Sequence, residues 1–334
     1  MNEGLSRAAG TLCGLAVGDA LGMPTQSLPR SQVVARYGAL LATFEPAPPG
    51  HPLAAGMPAG AVTDDTEQAL LLAGLLIERP GRVDPAELAG RLLAWEESMH
   101  ERGSADLLGP STRQALAALL AGADIEQAGR RGVTNGAAMR IAPVGVATPS
   151  ADLDVLVDRV VEASRVTHNT GVALAGAAAV AAAVSAGIDG IPLPGVIEFA
   201  VAAAASAARR GHWVAGADVA ARIAWATDLA AGQSDRVIDT VYRLVGTSLA
   251  TQESVPAAFA VAAAAPDDPW LACRIAASLG GDCDTIAAMT GAICGARHGV
   301  QSFPQEARDI VASVNGLDLG ALAAGLLAVR ASSS

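Results

Sequence analysis

Apolar residues recur at helical spacing along much of the chain. In residues 152–164 the apolar positions are separated by three or four residues and form one stripe, made of Leu153, Leu156, Val157, Val160 and Val161. This spacing is that of one face of an amphipathic α-helix. We find no run of alternating apolar and polar residues bounded by hairpin turns. The pattern predicts an all-α protein.

Helix start and stop signals divide the chain into many segments. Asp84 and Pro85 introduce one apolar segment, and Asp268 and Pro269 introduce another. Aspartate is a favoured N-cap, and proline is favoured in the first helical turn. The clusters of Pro and Gly between such segments are short, and no linker-like tract occurs. We therefore expect a single domain over residues 1–334, with roughly a dozen helices at ordinary helix and loop lengths.

The composition indicates how these helices pack. Hydrophobic residues make up 51% of the 334 residues, but aromatic residues only 3%. The core must therefore be built from small side chains, which allow helices to approach closely. The longest apolar run, residues 171–188, consists mostly of Ala and Gly, which gain little from lipid. We expect a central buried helix there.

Net charge and cysteine usage limit the partners and the compartment. The formal charge of −11 disfavours nonspecific binding to nucleic acid or to an anionic membrane, because both need clustered basic residues. The four cysteines show no CxxC pair and no density typical of a secreted scaffold. The N-terminal residues lack the basic and apolar segments of a signal peptide. These features predict a cytoplasmic protein with reduced thiols.

Two acidic clusters stand at the start of apolar segments. The first contains Thr63, Asp64 and Asp65, and it also fits an ordinary helix start in which Thr63 or Asp64 is the cap. The second contains Asp282 and Asp284 after a glycine pair. If one of these two aspartates capped the helix, the negative charge of the other would have no partner. Carboxylates at the edge of a buried helix need a partner or must take up protons.

A metal would supply that partner. Each cluster offers two carboxylates and a threonine hydroxyl, and the combined candidate ligands are Thr63, Asp64, Asp65, Asp282, Asp284 and Thr285. Hard oxygen donors of this kind suit Mg²⁺, Mn²⁺ or Ca²⁺. The chain has no HxxxH or paired-cysteine spacing for zinc and no calcium loop at residues 282–289. Two divalent ions would activate water for hydrolysis. The sequence therefore suggests a metal-dependent hydrolase.

Five motifs in a fixed order resemble the ADP-ribosylglycohydrolase family, which includes dinitrogenase reductase-activating glycohydrolase. The motifs are GLAVGDALGMP (14–24), TDDTEQ (63–68), TNGAAMRIAPVG (134–145), His168 and GGDCDTIAAMTGAICGA (280–296). The resemblance covers nearly the whole chain. It implies an all-α enzyme with two ions, Mg²⁺ or Mn²⁺, at its centre. Such an enzyme hydrolyses the bond at the anomeric carbon of ADP-ribose. The resemblance also implies that the catalytic centre contains Asp64, Asp65, Asp282 and Asp284.

The third motif is typical of a loop that binds a ligand. Its candidate residues are Asn135, Gly136, Ala137, Met139 and Arg140. The first two can present backbone N–H groups to phosphate, and the small residues leave room for a ligand to approach. Arg140 could reach a phosphate or pair with an acidic neighbour. A plain turn between helices is the alternative.

The remaining family positions carry separate expectations. A lone histidine is more often a hydrogen-bonded structural residue than a ligand, whereas the resemblance implies that His168 contacts the substrate ribose. Gly280 and Gly281 would border the ligand. Asp19 matches a family position, although it could equally be part of a polar hydrogen-bond network. We expect it to contact the metal ligands and not the metal itself. Gln26 stands where many members carry glutamate, and glutamine cannot be a general base or an anionic ligand.

These observations leave three functions open. The leading hypothesis is hydrolysis of an N- or O-linked ADP-ribosyl conjugate, in which one aspartate of the two clusters accepts a proton from water. Gln26 leaves room for a ribosidase that acts on a free nucleoside or nucleotide. A noncatalytic protein that binds ADP-ribose is the third hypothesis, which the retention of both acidic clusters disfavours. The sequence fits a monomer or a small homo-oligomer.

Overall fold

Helices dominate the computed structural model, which describes residues 2–101 and 108–332. Within these ranges no β-strand forms, and two isolated bridges join Thr134 to Ala250 and Thr170 to His212. The helices are α1 (Glu3–Gly22), α2 (Arg30–Tyr37), α3 (Asp64–Glu78), α4 (Pro85–Glu101), α5 (Pro110–Leu120), α6 (Ile125–Ala128), α7 (Gly136–Arg140), α8 (Ala142–Ala147), α9 (Leu153–Ser164), α10 (Gly171–Ile188), α11 (Leu193–Ala207), α12 (Val219–Ala230), α13 (Val237–Thr240), α14 (Thr251–Ala264), α15 (Pro269–Ala277), α16 (Cys283–His298), α17 (Gln305–Asn315) and α18 (Leu319–Ser332). The predicted all-α class is confirmed.

The predicted start signals cap helices in the structure. Asp268 is the N-cap of α15, and its Oδ1 accepts the N–H of Leu271 at 2.9 Å. Asp84 Oδ1 accepts the N–H of Ala86 at 2.9 Å at the start of α4. Three of the five residues in the predicted apolar stripe of α9 are fully buried. The 3.6-residue period therefore identified the core face of this helix.

The helix α10 forms the centre of the core. Its length and composition would suffice to cross a membrane, but 94% of its residues are buried inside the protein. Six of the longer helices pack around it, namely α1, α9, α11, α12, α14 and α16. Its alanines and glycines permit this crowding because they add little volume beyond the backbone. The expectation of a central buried helix at residues 171–188 is confirmed.

Glycines bring α1 and α16 into backbone contact. On α1 they recur every four residues, at Gly10, Gly14, Gly18 and Gly22. A Cβ atom added to Gly14 would stand 2.1 Å from the carbonyl oxygen of Gly291 on α16. At the end of the same stripe, a Cβ on Gly22 would stand 2.2 Å from the Cα of Asp284. The stripe therefore brings the last turn of α1 against the first turn of α16, where the second acidic cluster lies.

Candidate functional site

Asp19, near the end of α1, organises the start of α3. Its buried carboxylate accepts the N–H and the hydroxyl of Thr63, the hydroxyl at 2.8 Å, and also the N–H and the hydroxyl of Thr66. Thr63 is itself the N-cap, since its Oγ1 accepts the N–H of Asp65. The first helical turn is thus satisfied without the carboxylates of Asp64 and Asp65, which remain available for another role.

Asp282 occupies the N-cap position of α16 without capping it. Its side chain makes no capping hydrogen bond. Instead its Oδ2 accepts a hydrogen bond from Asn135 Nδ2, and the same amide nitrogen donates to Ser254 Oγ at 3.0 Å. The capping interpretation is therefore wrong for Asp282. Its carboxylate is bound by the side chain of Asn135, a residue far away in the sequence.

Thr285 links the two acidic clusters. Its hydroxyl lies 3.2 Å from each carboxylate oxygen of Asp65, to which it donates. In the preceding position of α16, Asp284 Oδ1 is buried and has no hydrogen-bond partner. The two clusters, some 220 residues apart in the sequence, therefore lie side by side.

Burial and mutual repulsion disfavour the charged forms of these carboxyl groups. Burial raises the pKa of both Asp19 and Asp282 to about 6. Burial first, and then neighbouring aspartates, raise the pKa of Asp64, Asp65 and Asp284 well above the ordinary value. Across residues 2–101 and 108–332, no basic side chain forms an ion pair with any of the five. The cluster needs a cation or protons.

The donor set fits a divalent cation in its chemistry. Carboxylate and hydroxyl oxygens from two helices are ligands that Mg²⁺ and Mn²⁺ prefer, and the unpartnered oxygen of Asp284 is a buried acceptor that lacks a donor. In the described part of the chain, no group of three or more His, Cys, Asp or Glu side chains is already placed to hold an ion. Threonine hydroxyls, water or substrate oxygens would therefore complete the coordination.

A cavity of about 600 Å³ opens beside the two clusters. This volume lies within the range of about 300–1,000 Å³ that is typical of small-molecule sites. The polar wall contains Asp64, Asp282, Asp284, Thr285, Asn135 and Gln26. The apolar wall contains Leu53, Leu108, Pro110, Met139 and Leu249. Arg113, in the first turn of α5, is the only basic residue among the lining residues that the structure describes. Asp65 and Thr63 lie behind this wall.

The loop at residues 134–140 reaches the cavity differently from the prediction. Asn135, Gly136 and Met139 line the cavity, whereas Ala137 is fully buried outside it. The N–H of Asn135 donates to the carbonyl of Leu249 at 3.0 Å. The expectation that this N–H is presented to phosphate is therefore wrong, and the side chain of Asn135, which holds Asp282, is the functional part.

Arg140 and His168 lie behind the cavity wall. Both are fully buried, and neither lines the cavity. The guanidinium donates to Gln68, to the carbonyl of Gly136 and to Thr167, so it meets neither a phosphate site nor an acidic partner. The ring of His168 makes hydrogen bonds to the hydroxyls of Thr167 and Thr134, at 2.7 and 3.1 Å.

The structure does not bring His168 to the cavity, and its hydrogen bonds are those of a structural residue, so its contact with the substrate ribose stays a prediction. The physical reason is the position of Gly136, where an added Cβ would stand 2.9 Å from His168 Cε1. The backbone at Gly136 thus lies directly against the imidazole. Burial also lowers the pKa of His168 well below its ordinary value, so the ring is neutral.

The glycine pair before α16 shapes a turn. Gly280 and Gly281 have φ angles of 80° and 73°, which glycine adopts without strain. The N–H of Ser27 donates to the carbonyl of Gly281 at 2.6 Å, and the N–H of Gly281 donates to Leu28. Gly281 lines the cavity, but Gly280 packs against the backbone of residues 28–30 and does not. The pair therefore fixes the turn that carries Gln26.

Sequence reasoning missed several residues that build the site. Ser254 on α14 helps to hold Asn135, and nothing in its local sequence indicates this. Thr66 binds Asp19 and stands three residues after Thr63. That spacing places the two hydroxyls on the same side of the helix start. It was the one feature of the sequence that could have indicated a shared partner for Thr63 and Thr66.

The comparisons with known proteins agree with this arrangement. The sequence model of a family described as ADP-ribosylglycohydrolase matches residues 1–334. The chain belongs to the ADP-ribosylglycohydrolase family. A solved structure described as an ADP-ribosylglycohydrolase-related protein complex aligns with a TM-score of 0.66 and 27% identity, covering 99% of this chain and all of that one.

Two relatives of this family member come from bacteria. The uncharacterized protein YegU of Escherichia coli (strain K12) is 37% identical over 326 residues, covering 97% of both chains. ADP-ribosyl-[dinitrogen reductase] glycohydrolase of Rhodospirillum rubrum is 29% identical over 168 residues, covering 49% of this chain and 51% of that protein. The family is one of glycohydrolases, so this ADP-ribosylglycohydrolase family member is of a hydrolase type.

The raised carboxyl pKa values predict an unusual pH dependence of stability for this family member. Between the ordinary aspartate pKa of about 4 and the folded value of about 6 for Asp19 and Asp282, the folded state binds more protons than the unfolded state. The free energy of unfolding therefore falls as pH rises through this window. We expect chelator-treated protein to melt at a higher temperature at pH 5 than at pH 7.5.

Calorimetry at constant ionic strength measures this dependence. Asp282→Asn is the control, because it removes one of the carboxyl groups with a raised pKa and should flatten the slope. A melting temperature that rises steadily from pH 5 to pH 7.5 in the wild type would contradict the electrostatic account.

Proposed function

We propose that this protein hydrolyses the glycosidic bond at the anomeric carbon of ADP-ribose in an N- or O-linked ADP-ribosyl conjugate. One observation carries the proposal: two buried acidic helix starts meet at the wall of a cavity of small-molecule size, and no basic side chain among the described residues pairs with them. The family model that matches the whole chain supports the same class of reaction.

Two divalent cations, Mg²⁺ or Mn²⁺, are part of the proposal. The residues that would hold them are Thr63, Asp64, Asp65, Asp282, Asp284 and Thr285. When bound, such ions lower the pKa of water and stabilise developing negative charge. The buried, unpartnered oxygen of Asp284 supports their presence, because a metal bond would satisfy it.

The protein side chains position the sugar and accept the proton. Asp64, Asp282 and Asp284 reach the cavity, whereas Asp65 is fully buried behind the wall. The group that accepts the proton of the attacking water is therefore one of the first three. Asn135 fixes the carboxylate of Asp282, which limits its rotation and keeps it in place for the ribose.

The rest of the conjugate would lie in the same cavity. Arg113, at the start of α5, lines it, and the positive end of the helix dipole there also favours an anion. Arginine is well suited to phosphate oxygens because its planar donors match them in pairs. The neighbouring apolar wall, formed by Leu108, Pro110 and Leu249, suits the adenine or a part of the leaving group.

A second candidate function, hydrolysis of a free nucleoside or nucleotide, is supported by Gln26. This residue lines the cavity with 4% of its surface exposed, and its Nε2 atom is buried without a hydrogen-bond partner. The family resemblance places a glutamate here in many members. A neutral amide at the cavity wall offers a donor to a substrate acceptor, which a carboxylate cannot do.

Initial rates on an ADP-ribosylated peptide and on a free nucleoside test the proposal, each with saturating Mg²⁺ and then Mn²⁺. We expect the wild type to release ADP-ribose from the peptide and to lose this activity when EDTA is added. Gln26→Ala should lower the rate by roughly threefold to tenfold, the cost of one hydrogen bond, and Gln26→Glu should raise it.

Turnover that persists in EDTA would overturn the metal-dependent reaction. Turnover of the nucleoside alone, without improvement by Gln26→Glu on the peptide, would establish the second function instead. Binding of ADP-ribose with no turnover of either substrate would identify a noncatalytic binding protein.

A further inference from the structure

A continuous line of hydrogen bonds runs from the acidic cluster into the core. Asp64 Oδ2 accepts a hydrogen bond from Gln68 Nε2 at 3.3 Å. Gln68 Oε1 accepts one from Arg140 Nη1 at 3.1 Å. All three side chains lie in or behind the cavity wall, and both Gln68 and Arg140 are fully buried. The guanidinium therefore acts on Asp64 through a single intervening amide.

The chemistry of the two neighbours fixes the orientation of this amide. A guanidinium can only donate hydrogen bonds, and an ionised carboxylate can only accept them. The amide of Gln68 must therefore turn its oxygen to Arg140 and its nitrogen to Asp64, and the reverse orientation would lose both bonds. A side chain with only donors or only acceptors cannot replace it at this position.

Arg140 is itself held in one position from several sides. The carbonyl of Gly136 accepts from Nη1 at 2.8 Å, and Thr167 Oγ1 accepts from Nη2 at 2.6 Å. Thr167 continues to His168, whose other ring nitrogen reaches the hydroxyl of Thr134 in the cavity wall. The network therefore joins the acidic wall to the wall formed by the loop at residues 134–136.

The positive charge of Arg140 has no ion-pair partner in the described ranges, and burial of an uncompensated charge is costly. The nearest compensation is the acidic cluster itself, since Asp64 favours the charged form of the guanidinium. A simple packing role would be served at lower cost by an apolar side chain. The proximity of the acidic cluster therefore explains why a charged side chain occupies this buried position.

We infer that Gln68 and Arg140 are positioning residues for Asp64: they hold one carboxylate oxygen so that the other lone pairs are directed to a cation in the cavity. The inference rests on the proposed metal-dependent function. Side chains that hold metal ligands in this way commonly contribute a factor of about 10–100 to metal affinity.

Isothermal titration of the chelator-treated protein with Mn²⁺ tests the inference, with thermal unfolding measured on the same samples. Gln68→Met keeps the approximate volume and removes both hydrogen bonds. Arg140→Lys keeps the charge but replaces the planar fork with a single ammonium. Arg330→Lys is the matched control, because Arg330 is also a buried arginine but pairs with Asp189 and binds the carbonyls of Gly145, Val146 and Thr148.

We expect Gln68→Met to weaken Mn²⁺ binding about tenfold or more and Arg140→Lys to weaken it in the same direction. The control should lower the melting temperature and leave Mn²⁺ affinity within about twofold of the wild type. If Gln68→Met does not fold, Arg140→Lys decides the question alone. Unchanged affinity in the folded variants would overturn the inference and leave the proposed function standing. Failure of the wild type to bind Mn²⁺ would overturn both.

Discussion

Asp284→Asn is expected to abolish turnover and leave the helical fold intact. The carboxylate is buried, one of its oxygens has no hydrogen-bond partner, and neighbouring aspartates repel it. Asparagine has the same shape but is a neutral and weaker ligand for a hard cation. A metal site supplies several kcal/mol of charge stabilisation in the transition state, and a loss of about 4 kcal/mol corresponds to roughly a thousandfold in rate.

The stability of the Asp284→Asn variant should rise although its turnover is lost. Removing one negative charge from a cluster that has no basic partner within residues 2–101 and 108–332 relieves repulsion, so the chelator-treated variant should melt at a higher temperature than the wild type near neutral pH. Asp268→Asn is a matched control because Asp268 only caps α15, a role that asparagine fills equally well. Wild-type rates in Asp284→Asn would show that the carboxylate has only a structural role.

Gly14→Ala is expected to destabilise the fold severely. The added methyl group would stand 2.1 Å from the carbonyl oxygen of Gly291, which is backbone and cannot rotate away. The helices α1 and α16 would have to separate. Overpacking of this kind costs about 3 kcal/mol or more when the obstacle is rigid. Because the same contact brings Asp19 towards Asp284, Mn²⁺ affinity should fall as well.

Gly74→Ala is the matched control for the helix contact. Gly74 also lies inside a helix, α3, but nothing lies within 4 Å of its added Cβ. Alanine should therefore stabilise the protein by roughly 0.5–1 kcal/mol, the usual gain over glycine in a helix. Chemical denaturation of both variants measures the difference. Equal free energies of unfolding for the two would contradict the close packing of α1 and α16.

Local sequence patterns were sufficient for much of the fold. The apolar run at residues 171–188 became a helix with those bounds, and its small side chains explained its central position. Start signals such as Asp268 also worked, because capping depends on neighbours within a few residues. The second acidic cluster was harder: α16 begins at Cys283, and Asp282 stands at the cap position without capping.

The site itself depends on contacts that no local pattern contains. The bond between Asn135 and Asp282 joins residues 147 positions apart, whereas the clustering of the aspartates was expected from their shared donor chemistry and from the family resemblance. Arg140 was a candidate for binding phosphate because of its place in the motif at residues 134–145. His168 was a candidate for contacting the ribose through the family resemblance. Whether a side chain of the five-residue helix α7 faces the cavity or the core is decided by packing on both sides. The cytoplasmic location and the oligomeric state remain predictions.

Anomalous diffraction from crystals grown with ADP-ribose and saturating Mn²⁺ is the most direct test of the metal centre. We expect two anomalous peaks about 3.5–4 Å apart, between the side chains of Asp64 and Asp65 at the start of α3 and those of Asp282 and Asp284 at the start of α16. The ribose should lie against these peaks inside the cavity. Absence of an anomalous peak between the two helix starts, with ADP-ribose bound in the cavity, would contradict the proposed metal centre.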